Sequence, residues 1–288
     1  MRSLIAYGER IVTDVSVPGA VSPGDAIESM ACVTVQCIDA HAADPGPHPL
    51  YTRTSDGLIF APPRVARYHC SAAGIVIDAD AEADPGEVTG LLLSTALPAV
   101  QWVKQRFVLH AAGAALPGAR ASIALTGPSG IGKSSVLADL LADGATLLGD
   151  DTLSLTCERG TCTAAGLAGG YYRSETANGS RAFHAVDRHR SAVSSPLGAI
   201  VVLADAMQDN WSIEPLAMRE AVEQLLSNQH RPRVPALLGM HAAVVRTCAA
   251  IARCTPVWRW RRPRQRAALN AAERASLATV LTNSRTRA

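Results

Sequence analysis

The residues best suited to chemistry lie at 127–134, where the sequence reads Gly-Pro-Ser-Gly-Ile-Gly-Lys-Ser. This spacing fits the phosphate-binding pattern G-x-x-x-x-G-K-[ST], in which backbone N–H groups, a lysine and a hydroxyl surround phosphate oxygens. We predict that Lys133 reaches the β- and γ-phosphates and that Ser134 ligates Mg²⁺. The predicted cofactor-binding residues, for a nucleoside triphosphate, are Gly127, Pro128, Ser129, Gly130, Ile131, Gly132, Lys133, Ser134 and Ser135.

The pattern gains weight when a strand precedes it and a helix follows it. The apolar run 121–126 predicts a buried strand, and residues 135–142 have helical spacing that ends at Gly144. The N-terminus of that helix adds a partial positive charge to the phosphate site. A glycine-rich turn that fits the pattern by chance is the alternative. Because both flanking elements are predicted, we favour a site for a nucleoside triphosphate.

Two carboxylates, Asp150 and Asp151, follow a second apolar run at 145–149. We expect this strand to end beside the phosphate-loop strand, where a carboxylate can accept a proton or organise a metal ion. Neighbouring residues of a strand point to opposite faces, which predicts two different roles. Two solvated acids in a turn are the alternative. The phosphate loop alone leaves ATPase, GTPase, kinase and nucleotide-dependent switch open.

His110 lies in the stretch 107–112, which we predict to be a strand beside the phosphate-loop strand, within a hairpin over 107–126. A histidine at the end of a strand is more often a structural group than a catalytic one. From the residues alone, His110 therefore has no assigned role.

The composition points to a globular chain: of 288 residues, 48% are hydrophobic and 18% are charged. A net charge of +2 is too small to argue for a nucleic acid partner. The N-terminus lacks the apolar core of a signal peptide, and the apolar stretches are too short to span a membrane. We therefore predict a cytoplasmic protein without a membrane partner. The seven cysteines lack C-x-x-C spacing, which predicts reduced and mostly buried thiols.

The predicted organisation is a β-rich N-terminal region over 1–95 and an α/β domain that carries the phosphate loop over 96–288. A helix is expected from 86 to 106, and a glycine-rich loop over 166–180. The segment 258–266 is rich in Trp and Arg. We interpret it as a strand with Trp inside and Arg outside, followed by a solvated basic turn. Binding of nucleic acid or of an acidic peptide is the alternative.

Three segments in order, 109–112, 127–134 and 144–151, resemble the catalytic core of HPr kinase/phosphorylase. The chain resembles more closely the shorter HPr-kinase-related proteins of peptide-maturation gene clusters, some of which phosphorylate lasso-peptide precursors. The resemblance implies the phosphate-loop α/β core that these kinases share with phosphoenolpyruvate carboxykinases. It also implies ATP and Mg²⁺ as cofactors, and it is consistent with a homo-oligomer.

By this resemblance the catalytic residues would be Asp151, Asp150, Lys133 and His110. Asp151 would take the proton from the acceptor Ser hydroxyl, Asp150 would support the site, and His110 would line the phosphate pocket. The metal ligands would be Ser134, Asp150 and Glu175. Glu175 lies in the segment 169–175, where the family has a motif rich in Glu, Arg and Gly that this sequence lacks. The resemblance therefore carries over neither HPr as the substrate nor the reverse reaction.

Three functions follow from these residues. The first is an ATP- and Mg²⁺-dependent kinase that phosphorylates a Ser hydroxyl of a small protein or of a ribosomally synthesised precursor peptide. The second is a nucleotide-binding regulator or assembly ATPase without a phosphoryl acceptor. The third is a kinase of small molecules. The fate of the γ-phosphate separates them.

Overall fold

The chain folds as a mixed α/β structure with two large β-sheets. The computed structural model describes residues 2–17, 32–38, 49–167, 169–174, 181–206, 211–263 and 268–283. No helix within these ranges has the length and apolar character needed to cross a membrane.

The first sheet is built from the N-terminal part of the chain. Its strands are β1 (Arg2–Ala6), β2 (Glu9–Thr13), β3 (Cys32–Ile38), β4 (Tyr51–Arg53), β5 (Gly57–Phe60), β6 (Ala66–Ser71) and β7 (Gly74–Ala79). They lie in the order β1-β2-β3-β7-β6-β5-β4, with β3 parallel to both of its neighbours and the other pairs antiparallel. The β-rich character predicted for this region is confirmed.

A continuous helical stretch leaves this sheet and enters the second. It consists of α1 (Pro85–Leu91), a π-helical turn (Leu92–Ala96) and α2 (Leu97–Val103). Asp84 caps α1 by accepting a hydrogen bond from the Gly86 N–H at 3.2 Å. Pro98 lies in the first turn of α2, where a missing N–H costs little. The predicted boundary between 95 and 96 falls inside this stretch, and a division into two domains stays a prediction.

The second sheet carries the glycine-rich loop. Its strands are β8 (Phe107–Leu109), β9 (Ala111–Ala115), β10 (Ser122–Thr126), β11 (Thr146–Gly149), β12 (Leu153–Glu158), β13 (Thr161–Gly166), β16 (Ser195–Asp205), β17 (Ser212–Pro215) and β18 (Val257–Arg262). The order is β11-β9-β10-β16-β13-β12-β8, and β18 lies between β16 and β17. The strands β14 (Gly170–Ser174) and β15 (Arg181–Ala185) form a separate antiparallel pair.

Helices cover both faces of the second sheet. They are α3 (Lys133–Ala142), α4 (Met218–Ser227), α5 (Arg233–Leu237), α6 (His241–Cys254) and α7 (Ala271–Asn283). On β10, Ile123 and Leu125 face a core that includes residues of α3 and α7, whereas Ala124 faces the core that includes α2 and α6. The core that includes α2 and α6 continues into the N-terminal sheet. Strands apolar on both faces are typical of such a central position.

The predicted hairpin over 107–126 is wrong in its first part. The extended chain is interrupted at His110, whose N–H donates to the carbonyl of Asn228 at 2.9 Å. The strand before it, β8, pairs with β12, whereas β9 pairs with β10 and β11. Only β9 and β10 form the expected hairpin.

The glycine-rich stretch 166–180 is not the loop that we expected. β13 extends to Gly166, and β14 occupies residues 170–174, where it pairs with β15. The adjacent residues Tyr171 and Tyr172 favour a strand there once a partner strand is present. Residues 175–180, and with them Glu175, lie outside the described residues.

The expectation of reduced, mostly buried thiols is wrong. Cys157 and Cys162 form a disulfide across the hairpin of β12 and β13, where they are paired in register. Arg159 and Gly160, with φ of 49° and 82°, form the tight turn that brings the two strands opposite each other. Three further cysteines are exposed: Cys32, Cys37 and Cys254. A search for C-x-x-C spacing does not detect a pair that depends on hairpin register.

The segment 258–266 follows the predicted strand only in part. Trp260 is buried in β18, but Arg262 is buried as well. Its guanidinium donates to the Glu273 carboxylate at 2.7 Å and stacks over the Trp260 ring. The expectation that each arginine points to solvent is therefore wrong, because β18 is an inner strand covered by α7. Residues 264–266 lie outside the described residues.

Candidate active site

The loop over 127–132 connects β10 to α3, as the sequence predicts. Gly127 has φ of 138°, and a Cβ there would lie 2.7 Å from the carbonyl oxygen of Leu203, so only glycine fits. Gly132 has φ of 102° and directly precedes α3. Pro128, Ser129 and Gly130 at the tip of the loop are exposed. The loop therefore presents its backbone and the N-terminus of α3 to solvent.

Lys133 is the first residue of α3, and its side chain is buried inside the loop. Its ammonium donates to the carbonyl oxygens of Gly127 at 2.9 Å and Pro128 at 3.1 Å. The full charge of the lysine and the partial charge of the helix N-terminus therefore lie at the same place. Such a concentration of positive charge suits a polyanion.

Ser134 and Asp150 connect the first turn of α3 to the end of β11. The Ser134 hydroxyl donates to the Asp150 carboxylate at 3.0 Å. The expectation that this strand lies beside the loop strand is wrong, because β9 separates β11 from β10. The Asp150 carboxylate nevertheless lies near the loop, because it contacts Ser134 in the first turn of the helix that follows the loop.

Asp151 does not lie in a strand, contrary to the prediction from the sequence. β11 ends at Gly149, and Asp151 has φ of 72°, in the left-handed region that Asp tolerates better than most residues. Its carbonyl oxygen accepts a hydrogen bond from the Ala111 N–H at 3.1 Å. The argument from opposite faces of a strand therefore does not apply. The two carboxylates differ because the backbone turns between them.

His110 contacts Asp151 through one ring nitrogen. Nδ1 lies 2.9 Å from the Asp151 carbonyl oxygen and 3.5 Å from its carboxylate oxygen Oδ1. A carbonyl oxygen only accepts, so Nδ1 carries the hydrogen, and in the neutral ring Nε2 has the free lone pair. Burial lowers the pKa of His110, and the nearby charge of Lys133 lowers it further.

A second histidine, His230, lies near this site and was not predicted from the sequence. The His230 ring lies 6.2 Å from the His110 ring, and only 6% of the residue is exposed. Burial lowers its pKa to about 4, against the opposing effect of the nearby Asp151 carboxylate. The backbone N–H of His230 donates to the Val108 carbonyl at 2.8 Å. This pairing across 122 residues (230 − 108) leaves no local signal in the sequence.

Tyr7 brings the N-terminal sheet to the carboxylate pair. Its hydroxyl and that of Thr152 are 2.6 Å apart, both residues are buried, and the Tyr7 N–H donates to the Gly166 carbonyl at 2.9 Å. Burial raises the pKa of Tyr7, so the phenol is neutral. The residue next to Asp151 is thus held by a contact from the other end of the chain. Sequence reasoning missed both residues because nothing near them in the chain indicates this contact.

A cavity of about 440 Å³ opens beside the carboxylates. Tyr7, Asp150, Asp151 and Thr152 form one side of it, and residues of α1 and of the π-helical turn form the other. Among the described residues that line it, none belongs to the glycine-rich loop. Asp150 thus lines the cavity and also contacts Ser134, directly after the loop and Lys133.

The structure brings most of the predicted site residues together. Lys133, Ser134, Asp150, Asp151 and His110 are joined through the contacts given above. Ser135 is exposed on α3 and next to them. The proposed third metal ligand, Glu175, lies outside the described residues.

The oxygen atoms of Ser134 and Asp150 would fit Mg²⁺, which prefers oxygen and is often held by one or two protein groups together with substrate phosphates and water. Within the described part of the chain, no three His, Cys, Asp or Glu side chains cluster so as to hold a metal ion. Ser134 and Asp150 could hold such an ion together with phosphate oxygens of a nucleotide.

Comparisons with known proteins add little to this geometry. No protein-family model and no curated protein matches the chain. Among solved structures, it is similar to an Hpr(Ser) kinase/phosphatase from Coxiella burnetii, with 14% identity over 62% of this chain and 97% of that one. The TM-score is 0.34, so this similarity carries no argument about the fold or the function. The proposals below rest on the residues and their contacts.

Proposed function

We propose that the chain is an ATP- and Mg²⁺-dependent kinase that transfers the γ-phosphate to a Ser hydroxyl of a small protein or of a ribosomally synthesised precursor peptide, such as a lasso-peptide precursor. One observation carries the proposal. The ammonium of Lys133 is buried inside the glycine-rich loop, Ser134 directly after it contacts Asp150, and the next carboxylate, Asp151, contacts His110. A site for nucleotide binding alone needs the loop and the lysine, but it needs no second carboxylate.

The loop and Lys133 would bind the phosphate chain. Backbone N–H groups of the loop and the N-terminus of α3 would surround the phosphate oxygens, and the ammonium would neutralise the charge that develops on the transferred group. When bound, Mg²⁺ would supply further neutralisation of the phosphate oxygens. The protein groups that would hold it are the Ser134 hydroxyl and the Asp150 carboxylate, which already contact each other at 3.0 Å.

Asp151 would act as the general base. The bond between the γ-phosphorus and the bridging oxygen breaks, the acceptor oxygen bonds to that phosphorus, and the proton of the acceptor hydroxyl passes to the Asp151 carboxylate. Its side chain is 37% exposed, so an acceptor hydroxyl can approach it. The pKa of His110 is lowered, so its ring is neutral at neutral pH and does not form an ion pair with Asp151. The Asp151 carboxylate therefore stays available to accept a proton.

His110 would position Asp151. Its Nδ1–H contacts the Asp151 carbonyl, and its own carbonyl accepts a hydrogen bond from the Thr126 hydroxyl at 2.8 Å. Thr126 is the last residue of β10, directly before the loop. His110 therefore connects the proposed base to the strand that supports the phosphate site.

The fate of the γ-phosphate tests the proposal. The protein is incubated with γ-labelled ATP, Mg²⁺ and serine-containing peptides, and peptide, inorganic phosphate and small molecules are then separated. We expect the label to be bound covalently to peptide. Label found only in inorganic phosphate identifies an ATPase, and tight ATP binding without turnover identifies a nucleotide-binding regulator. Either result contradicts the kinase.

A further inference from the structure

We infer that the cavity beside the carboxylates is the acceptor site, and that it takes a peptide segment whose serine is flanked by apolar and basic side chains. The inference rests on the proposed function and deepens it. It names the surface that binds the acceptor and the chemistry which that surface selects.

The position of the cavity suits an acceptor. In phosphoryl transfer the attacking and leaving oxygens lie roughly in line, so the acceptor approaches the phosphorus from the side opposite the rest of the nucleotide. Asp150 and Asp151 line the cavity, and Asp150 also accepts a hydrogen bond from Ser134, the second residue of the helix that follows the glycine-rich loop. An acceptor in the cavity would therefore have its hydroxyl beside Asp151, next to the carboxylate that contacts the phosphate site.

The size and polarity of the cavity suit a short peptide segment. The cavity of about 440 Å³ falls within the range of about 300–1,000 Å³ for sites that bury small ligands. It would accommodate a few residues of a peptide, and it is too small for a folded domain. Leu91, Leu93 and Leu167 contribute to its lining, and each is half-buried. Apolar side chains of an acceptor peptide would complete the burial of these leucines.

The charge around the cavity is negative. Glu87 on α1 joins Asp150 and Asp151 around the cavity, and the described lining residues include no Lys, Arg or His. Three carboxylates at one concave site attract a basic peptide and repel an acidic one. Asp150 is engaged with Ser134, whereas Glu87 lies on the exposed side of α1. We therefore expect Glu87 to select basic side chains of the peptide near the reacting serine.

The backbone of the cavity wall supports a binding role. The π-helical turn at 92–96 contributes Leu93 and Ser94 to the lining. Such turns are frequent at functional sites, because they change the direction of side chains on an otherwise regular helix. Gly90 lies one turn earlier, and a Cβ built on it would meet no heavy atom within 4 Å. The wall therefore has free space where a side chain can be introduced.

The test uses a degenerate decapeptide library with one fixed serine and randomised flanks, phosphorylated with γ-labelled ATP and sequenced as a pool. We expect the wild-type protein to enrich Lys or Arg and apolar residues near the serine several-fold. Glu87→Lys should lose the enrichment of basic residues and gain acidic ones. Glu82→Lys is the matched control, since Glu82 is exposed and is not among the described lining residues. It should keep the wild-type pattern.

A second variant tests the space itself. Gly90→Trp should fill the cavity and lower kcat/KM for the labelled peptide at least about 50-fold, with ATP affinity unchanged within about two-fold. Met218→Trp adds the same side chain at an exposed position of α4 and should leave both values unchanged. Phosphorylation without basic bias, or with the same bias in Glu87→Lys, overturns the inference and leaves the kinase intact. Labelling of no peptide at all overturns the proposed function as well.

Discussion

His110 and His230 lie near Asp151 with different surroundings. His110 is 26% exposed and donates to Asp151, whereas His230 is 6% exposed, and its Nδ1 has no hydrogen-bond partner among the described atoms. A buried imidazole without a partner avoids protonation, because the charged form would lose its hydration. His230 thus contributes an uncharged ring that packs behind His110. It keeps a further positive charge away from the proposed base.

The burial of His230 predicts a pH dependence of stability. Its pKa falls from the ordinary 6.5 to about 4 in the folded state. Between these values the unfolded chain binds more protons than the folded one, so the free energy of unfolding falls as the pH falls through this window, by about 3 kcal/mol at most. Above pH 6.5 neither state binds the proton, and this group contributes no dependence.

Urea unfolding at about pH 7.5 and about pH 5 measures this dependence. The variant His230→Gln removes the titrating ring and should lose stability less steeply between the two pH values. Equal slopes for the wild type and the variant would contradict a buried, neutral His230.

At the scale of elements, the sequence predicts the unit formed by β10, the loop and α3, because its signals are local. Glycines with positive φ, an apolar strand and a helical pattern all lie within a short stretch. The position of β9 between β10 and β11 is not local. The turn after β9 predicts its pairing with β10, but no local signal shows that the other neighbour of β10 is β16 and not β11. The expected position of the carboxylate strand is therefore wrong by one strand.

Gly127 tests the geometry of this unit. In Gly127→Ala the new Cβ would lie 2.7 Å from the Leu203 carbonyl oxygen, and the residue would keep φ near 138°. We expect the free energy of unfolding to fall by about 2–3 kcal/mol, together with a loss of ATP binding.

Gly118→Ala is the matched control for this substitution. Gly118 also has positive φ, at 71°, but a Cβ there would meet nothing within 4 Å. It should cost about 1 kcal/mol and leave ATP binding intact. Equal effects of the two variants would show that backbone conformation alone matters at Gly127 and that the close approach of β16 does not.

At the scale of the whole molecule, the two sheets are connected by buried polar contacts as well as by a common core. Glu9 on β2 is 2% exposed, and it contacts Lys104 at 2.6 Å and Arg106 at 3.2 Å at the end of α2. Gln101 donates to the same carboxylate at 3.3 Å. Tyr7, which contacts Thr152, lies two residues before Glu9 in the chain. The N-terminal sheet thus helps to fix the position of the carboxylate pair.

Replacing Glu9 tests this connection. Glu9→Gln keeps the size of the side chain and leaves two cations without their carboxylate, which should lower the free energy of unfolding by about 3 kcal/mol. Glu223→Gln removes an exposed partner of Arg219 and should leave the denaturation midpoint nearly unchanged. Urea unfolding measures both. A small effect of Glu9→Gln would mean that the ion pairs of Glu9 contribute little to joining the two sheets.

Sequence reasoning reached the parts of the site that adjacent residues define, and it missed those that distant residues define. The loop, Lys133 and the two carboxylates come from motifs. Tyr7 and His230 come from contacts between elements far apart in the chain, and their local sequences indicate neither. The disulfide was missed for a related reason, since it depends on the register of a hairpin. Register follows from the turn and from the buried face, and spacing of cysteines alone does not give it.

The central claim is that Asp151 accepts the proton of an acceptor hydroxyl while the loop binds ATP. It is tested most directly by measuring phosphate transfer and ATP affinity in Asp151→Asn, which keeps the shape and removes the base. The account predicts that transfer to peptide falls at least about 100-fold and that ATP affinity changes by less than about two-fold. Transfer at the wild-type rate, or a parallel loss of ATP binding, would contradict it.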